Sequence, residues 1–555
     1  MIKKIFNHQS KTIGFAAGIL AASSAVNGFL ALWRDRLLAG SFGAGESLDI
    51  YFAAFRIPDF IYGILIAGGI IAVFLPLFSE YFSQGKERGW YFTNVVLNSF
   101  LVLLILLCLI FLIFTPFIIQ FITPGFSQDN KAQTVFLTRI MLLSPFFFVL
   151  SSIFSGILHY FNRFLIYSSA PILYNSGIIF GILFFVPYFG LTGLAYGVIL
   201  GAFFHLAVQI PPVLLAGFKY QPVFNFKEPG LKKIFKLMVP RIIGAGASQL
   251  NLIIITAIAS TLVSGSIAIF NFSNNLQKFP VELIGLSVAT ASFPVMARIW
   301  AAGQRKIFLT KFFLVFQQTL FIIIPLSLLI FLLRAQLVRI ILGTGNFGWL
   351  ETRLTAASLG VFSFALFTFC LIPLLNRAFF SLQDTKTPVI IGVITIVLNI
   401  ALSFVFIWFL GFPNIFYNFL VNLLKLQGIN NIQIIGLPLA FSLSGAFNFA
   451  LLFVFFHKKI KKLVPGGIRI LKEKIQEFFE SLRKILIASG LMTIFTYYSL
   501  YLLAPFLDMQ TFLGVFGQAV IAGFLGVFSY VFISSVLESS ELKNFKLSIL
   551  KQFKK

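Results

Sequence analysis

Uninterrupted apolar runs of about 20 residues, each long enough to cross the hydrocarbon core of a bilayer as a helix, recur along this 555-residue chain, separated by short stretches that hold most of its charge. The pattern predicts fourteen spans, near 13–33, 57–79, 92–122, 133–160, 165–187, 190–216, 235–262, 266–297, 307–333, 354–381, 386–410, 434–456, 485–505 and 511–537. The expected fold class is therefore an all-α polytopic membrane protein with fourteen transmembrane helices. The first run is read as a retained helix. AASSAVNG offers small residues for a signal cleavage site, but the apolar character continues to Trp33.

Landmarks recur with a long period. Pro76 in AVFLPLFSEYF and Pro294 in TASFPVMARIW lie 218 residues apart, and Pro171 in SSAPILYNSGI and Pro388 in DTKTPVIIGVI lie 217 apart. The offset brackets six spans, so two halves of the same orientation are expected, related by an axis along the membrane normal. The expected organisation is an N-lobe of six helices (1–225), a C-lobe of six (226–460), a cytoplasmic amphipathic linker (461–484), two added C-terminal helices (485–540) and a basic cytoplasmic tail (541–555). In the linker Ile468, Leu471, Ile475, Phe478 or Phe479, and Leu482 repeat at helical spacing among Lys, Arg and Glu, a pattern suited to the membrane surface. The longest insertion, 411–433, holds IFYNFLVNLLKL, a segment fit for the interface.

Composition agrees with the pattern: 59% of residues are hydrophobic and 11% charged, too apolar to cover a soluble surface. Of the 42 Lys and Arg residues, 31 fall on one side of the predicted spans, which places that side and both termini in the cytoplasm. The net charge of +25 then describes contact with anionic membrane lipids and not with nucleic acid. Cys108 and Cys370 both fall in apolar spans, which disfavours a disulfide framework. The 74 Phe residues read as lipid-facing filler. Four His residues lack metal-binding spacing, and no nucleophile elbow or phosphate loop is present, so no enzyme, catalytic residue, metal or cofactor is expected.

The charges that call for an explanation lie in WRDRLLAGSFGAGESLDIYFAAFRIP, from Trp33 to Pro58: Arg34, Asp35, Arg36, Glu46, Asp49 and Arg56. Ionisable groups at membrane depth cost about 2.5–3.5 kcal/mol each on insertion scales and face a cavity or a partner. On a continuous helix Asp49 and Arg56 would share a face roughly 10 Å apart, too far to pair and both available to something else. Gly43 and Gly45 permit a turn that aims this charged face back at the protein. A cation-rich concave site for an anion follows. Asp59, Arg241, Lys278 and Glu282 are further embedded charges; Lys278 and Glu282 have the spacing of a self-neutralising pair, and Arg241 can snorkel to the inner surface.

RDRLLAGSFGAGESLDIYFAAFRIP, TPGF at 123–126, NRFLIYSSAPILYN at 162–175 and SLQDTKTPV at 381–389 occur in the order and with the spacing of one family. The chain resembles the MurJ (MviN) family of lipid II flippases, in the multidrug/oligosaccharidyl-lipid/polysaccharide exporter superfamily. The resemblance implies alternating-access transport of lipid II, an undecaprenyl-pyrophosphate-linked disaccharide pentapeptide, from the inner to the outer leaflet for peptidoglycan synthesis, with cell-wall synthesis proteins as further partners. It also implies that Arg34, Arg36, Asp49, Arg56, Asn275 and Lys278 bind substrate, that Asp35, Gly43, Gly45 and Pro58 form a gate or its frame, and that the tail uses a groove at spans 13 and 14. Three expected cations are missing: Asn27-Gly28, Tyr62 and Asn275 stand where the family has arginines, and Ala67 stands where it has an acid. Lys278, three residues beyond Asn275, is the expected replacement. A flippase for another polyprenyl-pyrophosphate-linked saccharide, a cation-coupled drug exporter and a non-transporting cell-wall scaffold are the alternatives.

Overall fold

The computed structural model of the chain describes residues 13–67, 70–463, 467–544 and 546. Its described elements are all helical. Among the described residues eleven helices are long and apolar enough to cross a membrane, and twelve when Pro229–Ser260, bent by 48° between Val239 and Gly244, is counted as one. The side chain of Arg241 lies outside the described residues. The chain divides into two compact units, Met1–Ala268 and Ile269–Lys555.

In the first unit, helix Ile13–Phe42 stops at Gly43, whose φ of +67° few other residues adopt and whose N–H bonds Ala39 O at 2.8 Å. Helix Glu46–Ala54 follows, then Arg56–Tyr62, a π-helical turn Gly63–Ala67 and helix Ile70–Ser83. The continuous helix expected through Asp49 and Arg56 is therefore broken at Phe55. Pro58 explains the break. It has no N–H to give Ala54 O, and Thr138 Oγ1, whose proton lies on Thr134 O at 2.7 Å, sits 3.3 Å from that carbonyl. At Pro145 a hydroxyl does answer the freed carbonyl: Ser144 Oγ donates to Met141 O at 2.8 Å.

Phe74 and Phe92 stack with centroids 6.1 Å apart, and Tyr81 and Phe92 at 4.2 Å, in a core that also holds Phe78 and Phe100 fully buried. Phe114, Phe117 and Phe121 do project from the surface. The reading of Phe as filler thus fails for the core. Helices Phe164–Phe180 and Leu191–Ala207 meet through glycines: a Cβ on Gly177 would lie 2.3 Å from Gly201 Cα, and one on Gly181 2.4 Å from Gly197 Cα. Such backbone contact is the usual gain from small residues between membrane helices. The segment 219–228 is clamped to helix Lys86–Ile122. Asn94 Nδ2 donates to Lys219 O, Asn98 Nδ2 donates to Gln221 O and Val223 O, and buried Glu228 receives Tyr81 Oη at 2.9 Å and Arg88 Nη2 at 2.8 Å.

The second unit repeats the order. A π-helical segment, Val281–Leu286, stands 218 residues after Gly63–Ala67; each is followed by a helix with an internal proline, Pro76 or Pro294, and then by a 37-residue helix, Lys86–Ile122 or Arg305–Ile341. Helices Trp349–Ser381, Lys386–Phe409 and Gly436–Leu463 continue it, with the short helix Ile415–Leu424 inserted. Asp384 opens helix Lys386–Phe409 by accepting Thr387 N at 3.0 Å and Thr387 Oγ1 at 2.7 Å, and pairs with Lys459 Nζ at 2.5 Å. Helix Gly467–Leu503 runs unbroken through 484, so the amphipathic segment and the following span are one helix; the side chains of Ile468, Leu471 and Ile475 lie outside the described residues. Phe512–Val536 closes the series. Ser481 Oγ and Ser539 Oγ both donate to Glu541, joining this pair of helices. Most of the basic tail lies outside the described residues.

Candidate functional site

Helix Ser266–Pro280 must begin with backbone N–H groups that have no partner within the helix. A side chain on the preceding residue would ordinarily take them, but that residue is Gly265. Its φ is +89°, and a Cβ there would lie 1.9 Å from Ala44 O. Asp49, 3% exposed, supplies the missing cap from another segment: Oδ2 accepts Gly265 N at 2.7 Å and Oδ1 accepts Ala268 N at 2.8 Å. A carboxylate at a helix N-terminus also meets the positive end of the helix dipole. The Gly43 to Gly45 turn thus sets Ala44 against Gly265, and Asp49 completes the joint.

Arg56, 6% exposed, donates from Nε to Thr256 Oγ1 at 2.6 Å. The Thr256 hydroxyl proton is spent on Leu252 O at 2.8 Å, so its lone pairs face the guanidinium. Asp49 and Arg56 are therefore both held by the protein, against the expectation that both stand open to a ligand. Arg34 reaches Asp35 Oδ1 from Nη2 at 2.7 Å and from Nε at 3.0 Å, and Asn175 Oδ1 from Nη1 at 3.0 Å. Asn175 in turn donates to Asn27 Oδ1 at 2.9 Å. Tyr51 and Tyr174 lie within electrostatic range of Arg34, and Asp59 lies within range of Arg56 and of both tyrosines. Arg36 is half-buried on the helix that carries Arg34, and Pro58 is buried beside Arg56.

Tyr62 packs edge-on against Phe148 at 5.2 Å, and Phe148 against Tyr174 at 5.1 Å, an aromatic wall next to the Arg34 network. The side chain of Ala67 lies outside the described residues. The TPGF segment packs on the end of helix Pro229–Ser260: a Cβ on Gly125 would lie 2.2 Å from Ser260 O. In NRFLIYSSAP, Asn162 takes φ +56° and buried Arg163 donates to Pro212 O.

In the second unit Asn275 is half-buried and Lys278 exposed near the end of helix Ser266–Pro280. The backbone changes to a π-helical turn at Val281, so Lys278 and Glu282 are not four apart on an α-helix. Asn175, Thr256 and Gly265 were missed by sequence reasoning. Each is an ordinary residue for a membrane helix, and only its partner, 141 to 216 residues away, gives it a role. The polar residue Asn175 in the family motif was the one available signal.

Residues 38–517 match the family model described as lipid II flippase MurJ. A probable lipid II flippase MurJ of Buchnera aphidicola subsp. Schizaphis graminum is 30% identical over 499 residues, covering 88% of this chain and 89% of the relative. That of Vibrio cholerae is 28% identical over 447 residues, covering 78% and 81%. A solved structure of lipid II flippase MurJ in an inward closed conformation shares the fold with a TM-score of 0.73 at 24% identity, over 93% of this chain and 98% of that one. An inward-facing multidrug resistance MATE family transporter of the MOP superfamily gives a TM-score of 0.65 at 15% identity, over 80% and 98%. With the family model matching residues 38–517 and a relative 30% identical over 88% of the chain, the chain belongs to the MurJ family.

Proposed function

We propose that the chain carries lipid II from the inner to the outer leaflet of the bacterial cytoplasmic membrane by alternating access, supplying peptidoglycan synthesis. Family membership supports the substrate class. The observation that carries the site is the pair of embedded cations inside apolar helices, Arg34 held by Asp35 and Asn175 and Arg56 held by Thr256 within range of Asp59. A diphosphate in hydrocarbon needs fixed donors in place of water, and guanidinium groups supply paired N–H donors for it. Arg36 adds charge from the same helix. Asp49, Asp35, Gly43, Gly45 and Pro58 set the frame in which these cations exchange internal acceptors for the substrate. Asn275 and Lys278, a turn apart on helix Ser266–Pro280, are further substrate-binding candidates, Lys278 as a point charge.

In this reading the chain crosses the membrane fourteen times. Helix Ile13–Phe42, the interrupted series Glu46–Ser83 and the bent helix Pro229–Ser260 join the eleven long apolar helices. An even number returns both termini to the cytoplasmic, Lys-rich side. The polyprenyl tail lies along an apolar cavity of about 400 Å³ lined by Phe316, Leu320, Phe367, Phe478 and Leu482. The chemistry calls for no catalytic residue or cofactor.

Exposure of lipid II on the outer leaflet of spheroplasts, in cells depleted of their own flippase, tests the reading. Wild-type protein restores exposure, and Arg34→Gln with Arg56→Gln abolishes it. Restoration by that double variant, or by Arg56→Ala with Lys278→Ala, overturns the assigned site. Tyr62, an aromatic ring in the wall beside Arg34, favours a second reading in which the headgroup is a different polyprenyl-diphosphate saccharide. Reconstituted vesicles loaded with fluorescent lipid II or with such a glycan separate the two by which one is moved.

A further inference from the structure

The second unit encloses a cavity of about 1080 Å³ where helices Arg305–Ile341, Trp349–Ser381, Ile415–Leu424, Gly467–Leu503 and Phe512–Val536 converge. Arg334, Arg339, Arg353 and Lys425 line it, and no Asp or Glu does. Among the described residues none of these four is in an ion pair. Four cations converging without a carboxylate raise one another's electrostatic energy and concentrate anions. Arg339 lies roughly 50 Å along its helix from Arg305, so the cavity opens at the membrane face opposite the Lys-rich segments.

The geometry is specific. Arg334 Nη1 donates to Phe331 O at 2.7 Å and Arg353 Nη2 to Lys425 O, which orients two guanidinium groups before any ligand arrives. The Arg339 and Lys425 side chains have no hydrogen bond among the described residues. Lys425 sits at φ +58°, ending the short helix. Gln336 Nε2 donates to Gln518 Oε1 at 3.0 Å, and Gln518 Nε2 to Leu500 O at 2.9 Å, which fixes both amides. Gln336 Oε1 is left as a buried acceptor with no partner among the described residues. A phosphate, itself an acceptor, does not satisfy it; a hydroxyl or amide N–H does. Trp349 and Tyr501 add flat, exposed rings to the wall, surfaces on which a sugar ring lies.

We propose that this cavity is a second binding site for a glycosylated lipid phosphate: the cations take the phosphate, and Gln336 with the aromatic rings takes the saccharide. It rests on the reading of the chain as a carrier of a lipid-linked glycan, and holds the headgroup on the side of delivery.

Photolabelling of the full chain in nanodiscs tests it. The probe is a short-chain polyprenyl-diphosphate N-acetylglucosamine with a diazirine on the sugar, and adducts are mapped by peptide mass spectrometry. Adducts are expected near Trp349 or Tyr501 as well as near Arg34 and Arg56. Arg339→Gln with Lys425→Asn lowers the former about tenfold, by loss of charge-assisted hydrogen bonds, and spares the latter, which also reports intact folding. Gln336→Leu weakens the glycosylated probe and not the unglycosylated diphosphate. Adducts confined to the Arg34 and Arg56 helices overturn this second site and leave the transport reading standing; adducts nowhere overturn both. Equal displacement by inorganic phosphate or phosphatidylglycerol reveals an anion site without sugar recognition and also overturns the proposal.

Discussion

Asp49 Oδ2 accepts the backbone N–H of Gly265 at 2.7 Å, a contact between residues 216 apart. It makes one acidic side chain the cap of a helix that begins far away in sequence. Gly265 cannot carry that cap, because any side chain there would drive into Ala44 O.

Asp49→Ala is expected to lower stability by about 2–3 kcal/mol, since the buried N–H groups of Gly265, Ile267 and Ala268 lose their carboxyl acceptors. Asp49→Asn retains one acceptor oxygen and should cost about half as much. Gly265→Ala should be at least as damaging as Asp49→Ala, for a steric reason and with the carboxylate intact. Thermal unfolding in detergent measures all three.

Arg56 and Thr256 should be coupled. Thr256→Val removes the acceptor and leaves the guanidinium buried, so it should weaken outer-leaflet exposure of lipid II nearly as much as Arg56→Gln. The double variant should be little worse than either alone. Full additivity in a double-mutant cycle would mean that the contact has no functional weight.

Ser144→Ala should destabilise by about 1–2 kcal/mol, because Met141 O, freed by Pro145, loses its donor. Replacing Pro145 by Ala in the same chain restores a backbone donor and should recover part of the loss. The recovery is read from the melting temperature.

Burial alone would raise the Asp384 carboxyl, but the Lys459 ammonium and the Thr387 donors outweigh it and hold the pKa below the ordinary carboxylate value. The folded state therefore binds its proton less readily than the unfolded chain. The contribution to stability is complete above the unfolded pKa, near 4, and is lost as pH falls through the lower folded value. Asp384→Asn should lower the melting temperature at pH 7 and flatten its decline below about pH 4. A decline as steep as that of the wild type would assign acid sensitivity elsewhere.

The membrane helices were legible because continuous apolar runs carry their own signal; the break at Phe55 was not, because a proline inside an apolar run does not by itself say where the helix divides. Likewise the repeat showed in Pro76 and Pro294, but the paired π-helical turns before them left no mark in composition. The charged stretch from Trp33 to Pro58 was picked out correctly as a place where charge needs partners. Which partners it has, Asn175 for Arg34 and Thr256 for Arg56, is decided by packing.

By itself the sequence determined the solvent of this protein, the all-helical class and the motifs that mark its family, since hydrocarbon forces every spanning segment to satisfy its own backbone. Only the tertiary structure decided that Asp49 is a helix cap, that Arg34 lies against Asn175 and Arg56 against Thr256, and that Arg334, Arg339, Arg353 and Lys425 face one cavity. The physical reason is range. Helix formation follows from neighbours along the chain, whereas the partner of a buried charge is whatever the folded packing brings within hydrogen-bond distance.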